Sequence, residues 1–409
     1  DNTLVIASSI SNGGGAALAA AEQDTTGLID GVAVSEPSIE LPLNPTVSIK
    51  RGNTAISLFG KTLVDFTTYA NLYQPCAALS SQLAGTPGAA YVIPAFASNR
   101  CNSLKAKGLL TATTTASQAD EALQKLKEYG WEGESDVLHP SLAAFEVASA
   151  VSVTFANSLS RSSVKDNLCG YSFASTDANG AVNGLPAASL AQMFATGNGV
   201  PPASGVQLVN NNNPTGPIRD LFSVSPSTNL ADLNLDGALC LRNLIAGTDS
   251  TALRLQTGVN ETRRSGNLRG KPAIIVHGRA DALLPVNHTS RPYYALNKLA
   301  EGSSSKLSYI EVTNAQHFDT FIGLPSILPG YDSRYIPLHV YLNRALDAVY
   351  EHLKNEKALP ASQIVRTIAR GGNPGAAPAI TSANVPPILT VPASNNQISF
   401  SANTITIPD

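Results

Sequence analysis

Thr3-Leu-Val-Ile-Ala7-Ser-Ser9-Ile-Ser11-Asn-Gly13-Gly-Gly-Ala-Ala-Leu-Ala-Ala-Ala-Glu22 places an apolar run, a tight turn bounded by glycine and an alanine-rich helix in direct succession. Leu4 to Ala7 reads as a buried strand. Strand, turn and helix in this order make a nucleophile elbow, with Ser9-Ile10-Ser11-Asn12-Gly13 standing where G-x-S-x-G is common. Residues two positions either side of the nucleophile must be small, because strand and helix nearly touch there. Ser9 replaces the first glycine and is still small. The nucleophile itself is expected in a strained backbone that exposes its hydroxyl. On this stretch alone, an ordinary glycine-rich loop or a phosphate cradle at a helix start remains the alternative.

A chain of 409 residues can bury a large core, and two domains are the natural expectation. The net charge of −3 and the lack of a basic stripe argue against a nucleic-acid partner. No apolar run is long enough to span a bilayer. Charged residues make up only 14%, while Ser, Thr, Asn, Gly and Pro abound, a balance that points to a secreted (extracellular or periplasmic) enzyme. Cys76, Cys101, Cys169 and Cys240 lack C-x-x-C spacing and so do not suggest a structural zinc. Two disulfides fit the even number, with Cys76–Cys101 and Cys169–Cys240 the simplest of three pairings. Four buried free thiols are the alternative. The first residue is Asp and no signal peptide precedes the elbow, so a processed product or a fragment is expected.

Gly27 to Val34 reads as a second short strand, giving a βαβ unit and a parallel sheet. Residues 36–55 hold Pro37, Pro42 and Pro45 without periodicity, and the chain is expected to leave the sheet there. Helices are expected over Thr54–Leu83, with an internal break near Tyr73-Gln74-Pro75-Cys76, and over Ser117–Tyr129 and Pro140–Ser158. Core texture returns in the strand Lys271–His277, the helix Tyr293–Leu299, the strand Leu307–Val312 and the helix Ile336–Leu353. The organisation expected is a core over 1–45 and 256–358, a mainly helical lid insertion over 46–255, and a Pro-rich tail over 359–409 that is either edge strands or partly ordered. The fold class is α/β, with a mostly parallel sheet of the α/β-hydrolase kind.

A serine hydroxyl needs a base to take its proton, and the base needs an anion to fix its tautomer. In α/β-hydrolases acid and histidine follow the serine in that order, each on a loop after a strand. His277-Gly-Arg-Ala-Asp281-Ala-Leu-Leu-Pro285 supplies the acid and Thr313-Asn-Ala-Gln-His317-Phe-Asp319 the base. The expected triad is Ser11, Asp281 and His317, with the backbone N–H of Asn12 in the oxyanion hole. Ser8 and Ser9 lack the glycine two residues on, and Asp319 lies too near His317 to orient it. His277 is read as holding the acid loop; His139, His288, His339 and His352 are read as surface or packing residues. The second oxyanion donor normally comes from an earlier strand. A sheet starting at the elbow would carry an open edge through its centre, so an N-terminal portion is expected as partner. Asp232-Leu-Asn234-Leu-Asp236-Gly237 matches half of a calcium loop, but Asn243 stands where a bidentate Glu belongs; an Asp/Asn-rich turn is the alternative.

The elbow with S-x-S-N-G-G-G, the acid loop His277–Val286 and the histidine loop Asn314–Asp319 together resemble the bacterial D-(−)-3-hydroxybutyrate oligomer hydrolases. The resemblance runs across nearly the whole chain. It implies a secreted serine esterase that releases 3-hydroxybutyrate from oligoesters through an acyl-enzyme, with no cofactor, in a protein with a large segment before the elbow. Tannases and feruloyl esterases share the acid and histidine loops, so hydrolysis of aromatic esters is a second reading. A non-catalytic binding module of the same fold is a third.

Overall fold

The sheet that carries the elbow is assembled from segments hundreds of residues apart. The computed structural model describes residues 3–42, 47–56, 61–188 and 206–409. Strand β1 (Ile6–Ile10) runs into helix α1 (Ser11–Gln23), and β2 (Gly31–Ser35) returns parallel to β1, Ile6 opposite Gly31 and Ile10 opposite Ser35. The strand expected to end at Ala7 continues through Ser8 to Ile10, so extended backbone reaches Ser11 itself. A hairpin, β3 (Ser48–Arg51) and β4 (Thr54–Ile56), follows. Beyond it come β5 (Ala273–Gly278), α2 (Ser290–Glu301), β6 (Leu307–Val312), α3 (His339–Asn355) and β7 (Gln363–Val365). A second hairpin consists of β8 (Ser399–Ser401) and β9 (Thr404–Ile407).

The main sheet has the order β1-β2-β5-β6-β7 and every pairing is parallel. Residues of β5 alternate between two cores. Ala273 and Ile275 pack with Leu18 of α1 and Tyr293 of α2, while Ile274 and Val276 pack with Tyr341, Ala345 and Val349 of α3. Both faces being covered, the strand is apolar throughout rather than alternating. The smaller sheet, order β8-β9-β3-β4, joins the first core through Ile49, Ile405 and Ile407.

Three expectations are corrected. The helix expected from Thr54 starts at Leu63, because Thr54–Ile56 pairs with β3; residues 57–60 and Pro45 lie outside the described residues. The helix expected over Pro140–Ser158 is two, His139–Ala144 and Val147–Leu159, parted at Glu146, whose φ is 54°. Its buried carboxylate accepts from Arg219 and from the Leu221 N–H, fixing the break. The break expected near Tyr73–Cys76 does not occur, since the helix Leu63–Ala77 continues through Pro75. Of the two readings of the C-terminal stretch, the structure has the strands, as β7, β8 and β9.

The chain divides into two compact units. One comprises Asp1–Leu63, Tyr129–Asp136 and Arg263–Asp409 and holds both sheets above. The other comprises Val64–Glu128 and Val137–Thr262. Its core includes Val64, Val153, Tyr171, Leu208, Leu241 and Leu255, drawn from helices and from a small antiparallel sheet around Tyr171–Thr176. Both disulfides, Cys76–Cys101 and Cys169–Cys240, lie in this second unit and pair in sequence order. Such bonds persist in oxidising compartments. No single described helix is long and apolar enough to cross a membrane.

Candidate active site

Parallel pairing brings the C-terminal ends of β1, β2, β5 and β6 to one rim of the main sheet, where ligands bind in open α/β sheets. Ser11 follows β1 directly. Its φ of 51° lies in the left-handed region that a non-glycine residue enters only under constraint, as an elbow demands. The glycines after it make room for a tight approach. A Cβ on Gly13 would overlap the Ser9 hydroxyl, and one on Gly15 would overlap the Ser38 carbonyl oxygen. The Ser38 N–H donates to the Ser11 carbonyl at 2.9 Å, tying the loop after β2 to the elbow. Asn12 is exposed at the second position of α1, where backbone N–H groups have no partner within the helix.

The structure brings the three expected residues together. Ser11 Oγ donates to His317 Nε2 at 3.0 Å, and His317 Nδ1–H donates to Asp281 Oδ2 at 2.9 Å. The Asp281 Oδ1 accepts the N–H groups of Leu283 and Leu284, both at 2.8 Å, and Oδ2 also accepts His277 Nε2–H at 3.2 Å. His277, itself anchored on the Ser290 hydroxyl at 2.7 Å, holds the acid in place as its sequence context suggested. Burial opposes the charge on Asp281, but His317 and His277 outweigh it, and the carboxyl stays well below the usual range. For His317 burial again opposes the charged form. The Asp281 charge and hydrogen bond, then the charges of Glu36 and Asp319, overcome this and raise its pKa above the ordinary histidine value.

The acid loop is braced by the segment Tyr129–Asp136. Trp131 Nε1 donates to the Ala282 carbonyl at 2.8 Å and Ser135 Oγ to that of Asp281 at 3.3 Å. Acid and histidine loops also grip each other, the Ala280 N–H donating to the Ala315 carbonyl at 3.0 Å. Beneath them Glu311 of β6, fully buried, pairs with Arg279 at 2.6 Å and Arg291 at 2.8 Å. Phe318 stands edge-on to the His317 ring, centroids 4.9 Å apart, and starts an aromatic ladder through Phe321, Tyr331 and Tyr335.

The remaining candidates have other tasks. Asp319 accepts the N–H and Nδ1–H of His339. His139 and His288 are buried, and His352 bonds the Lys357 carbonyl. The Asp232–Asp236 turn caps a helix. Asp232 accepts from the hydroxyls of Ser103, Ser225 and Thr228, Asn234 from the Gly237 N–H, and Asp236 from Ser227. Its carboxylates are thus occupied by donors, and no group of three or more His, Cys, Asp or Glu gathers among the described residues. One residue of the rim escaped the sequence reading. Glu36, next after β2, is 5% exposed beside the triad. The signal available for it was its place at a strand end, which it shares with Ser11, Asp281 and His317.

The whole chain, residues 1–409, matches the family model described as 3HB-oligomer hydrolase. Among curated proteins, it is 64% identical to a D-(-)-3-hydroxybutyrate oligomer hydrolase of Paracidovorax citrulli, covering 100% of this chain and 58% of that protein. Proteins of the same name from Ralstonia pickettii and Cupriavidus necator are 56% and 57% identical over 100% of the chain, and it covers 56% and 57% of them. The chain therefore spans little more than half the length of these relatives. No solved structure matches it.

Proposed function

Because the chain belongs to the 3HB-oligomer hydrolase family, we propose that it is the site-bearing part of a secreted serine esterase. Its reaction is hydrolysis of D-3-hydroxybutyrate oligomers to monomers through an acyl-enzyme intermediate. The observation that carries this reading is the unbroken hydrogen-bonded line Ser11–His317–Asp281 on a strained elbow. Ser11 attacks the ester carbonyl while His317 takes its proton; Asp281 keeps Nδ1 protonated, so that Nε2 is the basic nitrogen. The Asn12 N–H stabilises the oxyanion. His317 then protonates the departing alcohol, which must lie within reach of Nε2. Water, activated by the same imidazole, releases the acid.

The fold in this reading is an α/β-hydrolase whose remaining strands lie ahead of β1. Supporting it, β1 pairs only with β2 among the described residues, and Val5 and Ile10 are 45% and 51% exposed. That preceding portion would supply the second oxyanion donor. The unit Val64–Glu128 and Val137–Thr262 is assigned the lid on its place in the sequence, between strands of the sheet. Two disulfides support export.

The test is turnover of D-3-hydroxybutyrate trimer by the longer protein that contains this chain, read by chromatography of released monomer, beside methyl gallate and methyl ferulate. A fluorophosphonate should label Ser11, with labelling abolished in Ser11→Ala and strongly weakened in His317→Ala. Preferred turnover of the aromatic esters would sink the substrate assignment, and absence of labelling would sink the esterase itself.

A further inference from the structure

We propose that Glu36 is a positioning residue of this site, a second buried carboxyl that acts on the reaction through the imidazole of His317. The proposal rests on the triad reading. Four neighbouring parallel strands each deliver one polar side chain to the same rim, in sheet order Ser11, Glu36, Asp281 and His317. Three of these have a task in the reaction, and Glu36 stands between the nucleophile and the acid.

Its setting is unusual for a loop carboxyl. Glu36 is 5% exposed, and no lysine or arginine pairs with it among the described residues. A buried carboxyl without a cation disfavours folding unless its neighbours compensate. Its backbone stands at φ 31°, a left-handed value for a non-glycine residue, while its N–H donates to the Val276 carbonyl of β5 at 2.8 Å. The fold therefore holds a strained residue in register with the sheet, and the Ser35 hydroxyl donates to its carboxylate. Two residues on, Ser38 grips the Ser11 carbonyl, so this loop is part of the elbow's own support.

The groups around it come from every strand-end loop at the rim. The charges that act on it are those of His317 and Asp319 in the loop after β6 and of Asp281 in the loop after β5. Behind these, His277 bonds Asp281 and His339 bonds Asp319. Burial pushes the Glu36 carboxyl up to about 7; the His317 charge and the Ser35 hydroxyl pull it down, and Asp281 and Asp319 push it up. In return the Glu36 charge raises the His317 pKa. Each group thus favours the charged form of the other, and they titrate as a coupled pair. When His317 takes the Ser11 proton, an ionised Glu36 favours the imidazolium, adding to Asp281 without a hydrogen bond of its own.

The test compares wild type with Glu36→Gln in the longer protein, using kcat/KM for p-nitrophenyl butyrate from pH 4 to 9. Without the Glu36 charge His317 becomes less basic, so the acid limb should move to lower pH by roughly half a unit or more. A limb that superimposes on wild type overturns the proposal and leaves Glu36 a structural residue. Thermal unfolding of the variant at pH 8 reports whether it folds. If it does not, the wild-type imidazole of His317 is titrated by nitrogen NMR, where a second inflection near neutrality supports the coupling and a single one refutes it. Fluorophosphonate labelling of wild type separates the outcomes: a protein unlabelled at Ser11 fails the triad reading, not this inference.

Discussion

The strand that presents the nucleophile and the strands that present its two partners are built differently. Every residue of β5 and β6 is buried, each strand is paired on both sides, and the loops after them lock together through Ala280 and Ala315. β1 has no fully buried residue and is paired on one side among the described residues. Acid and base are therefore fixed by the sheet interior. The serine is fixed by local devices: a left-handed residue, a glycine-lined contact with the loop after β2, and one hydrogen bond from Ser38. A rigid half and a locally propped half make one site, and the propped half is where placement is most easily lost.

The contrast can be broken from the rigid side first. Asp281→Asn should cost roughly 10⁴-fold in kcat, about 5 kcal/mol of transition-state stabilisation, with little change in KM. Retention of most activity would mean that the charge of Asp281 neither fixes the tautomer of His317 nor stabilises its imidazolium. Glu311→Gln attacks the same half from beneath, leaving buried Arg279 without a carboxylate and Arg291 with Glu132 alone. The expected loss is about 3–5 kcal/mol of stability, read by urea unfolding, whereas a neutral result would place the strength of β6 elsewhere.

Between the halves, Glu36 makes stability depend on pH. Its folded pKa is raised from 4.5 to about 7, so its contribution is fully present below about 4.5 and is lost as pH rises through about 7. Glu36→Gln should remove that slope and leave the variant about 3 kcal/mol more stable than wild type at pH 8. Parallel pH–stability curves would contradict a raised pKa. The smallest effect is on the propped side. Gly15→Ala should cost about 1–3 kcal/mol and lower kcat more than KM, because the new Cβ pushes the Ser38 loop off Ser11. A stability loss with unchanged kcat would show that the prop does not aim the serine.

The rigid half was largely legible in sequence: Ala273–Val276 is an unbroken apolar run, and Leu307–Val312 is a short stretch rich in strand formers that Ser308 and Glu311 interrupt without breaking. Ser11, Asp281 and His317 were legible because each follows a strand in the expected order. The smaller sheet was legible only in part: the alternation around Ser399–Ile407 offered edge strands, but nothing pointed to their partner. β3 pairs with β9, and the residues that meet, Ile49 and Ile405, are an isolated apolar pair in polar company until the fold joins them. β7 is three residues in a proline-rich stretch, too short to show a period. Glu36 looked like any loop acid before Pro37, because what distinguishes it is burial, and burial there comes from loops some 240 and 280 residues away in sequence.

The pairing of β3 with β9 has a further consequence for how the protein is made. The hydroxyls of Ser48 and Thr404 that meet across these strands are 356 residues apart. At ribosomal speeds of about 5–20 residues per second, β3 waits roughly 20–70 s for its partner. Both cysteine pairs leave the ribosome well before that, within a unit complete by Thr262. Delivered N-terminal end first into an oxidising compartment, the second unit can therefore oxidise and fold before the first closes, whose exposed strand edges are meanwhile open to pairing with other chains. Order of synthesis thus sets an order of assembly in which the second unit is finished while the one that holds Ser11, Asp281 and His317 is still waiting for its last strands.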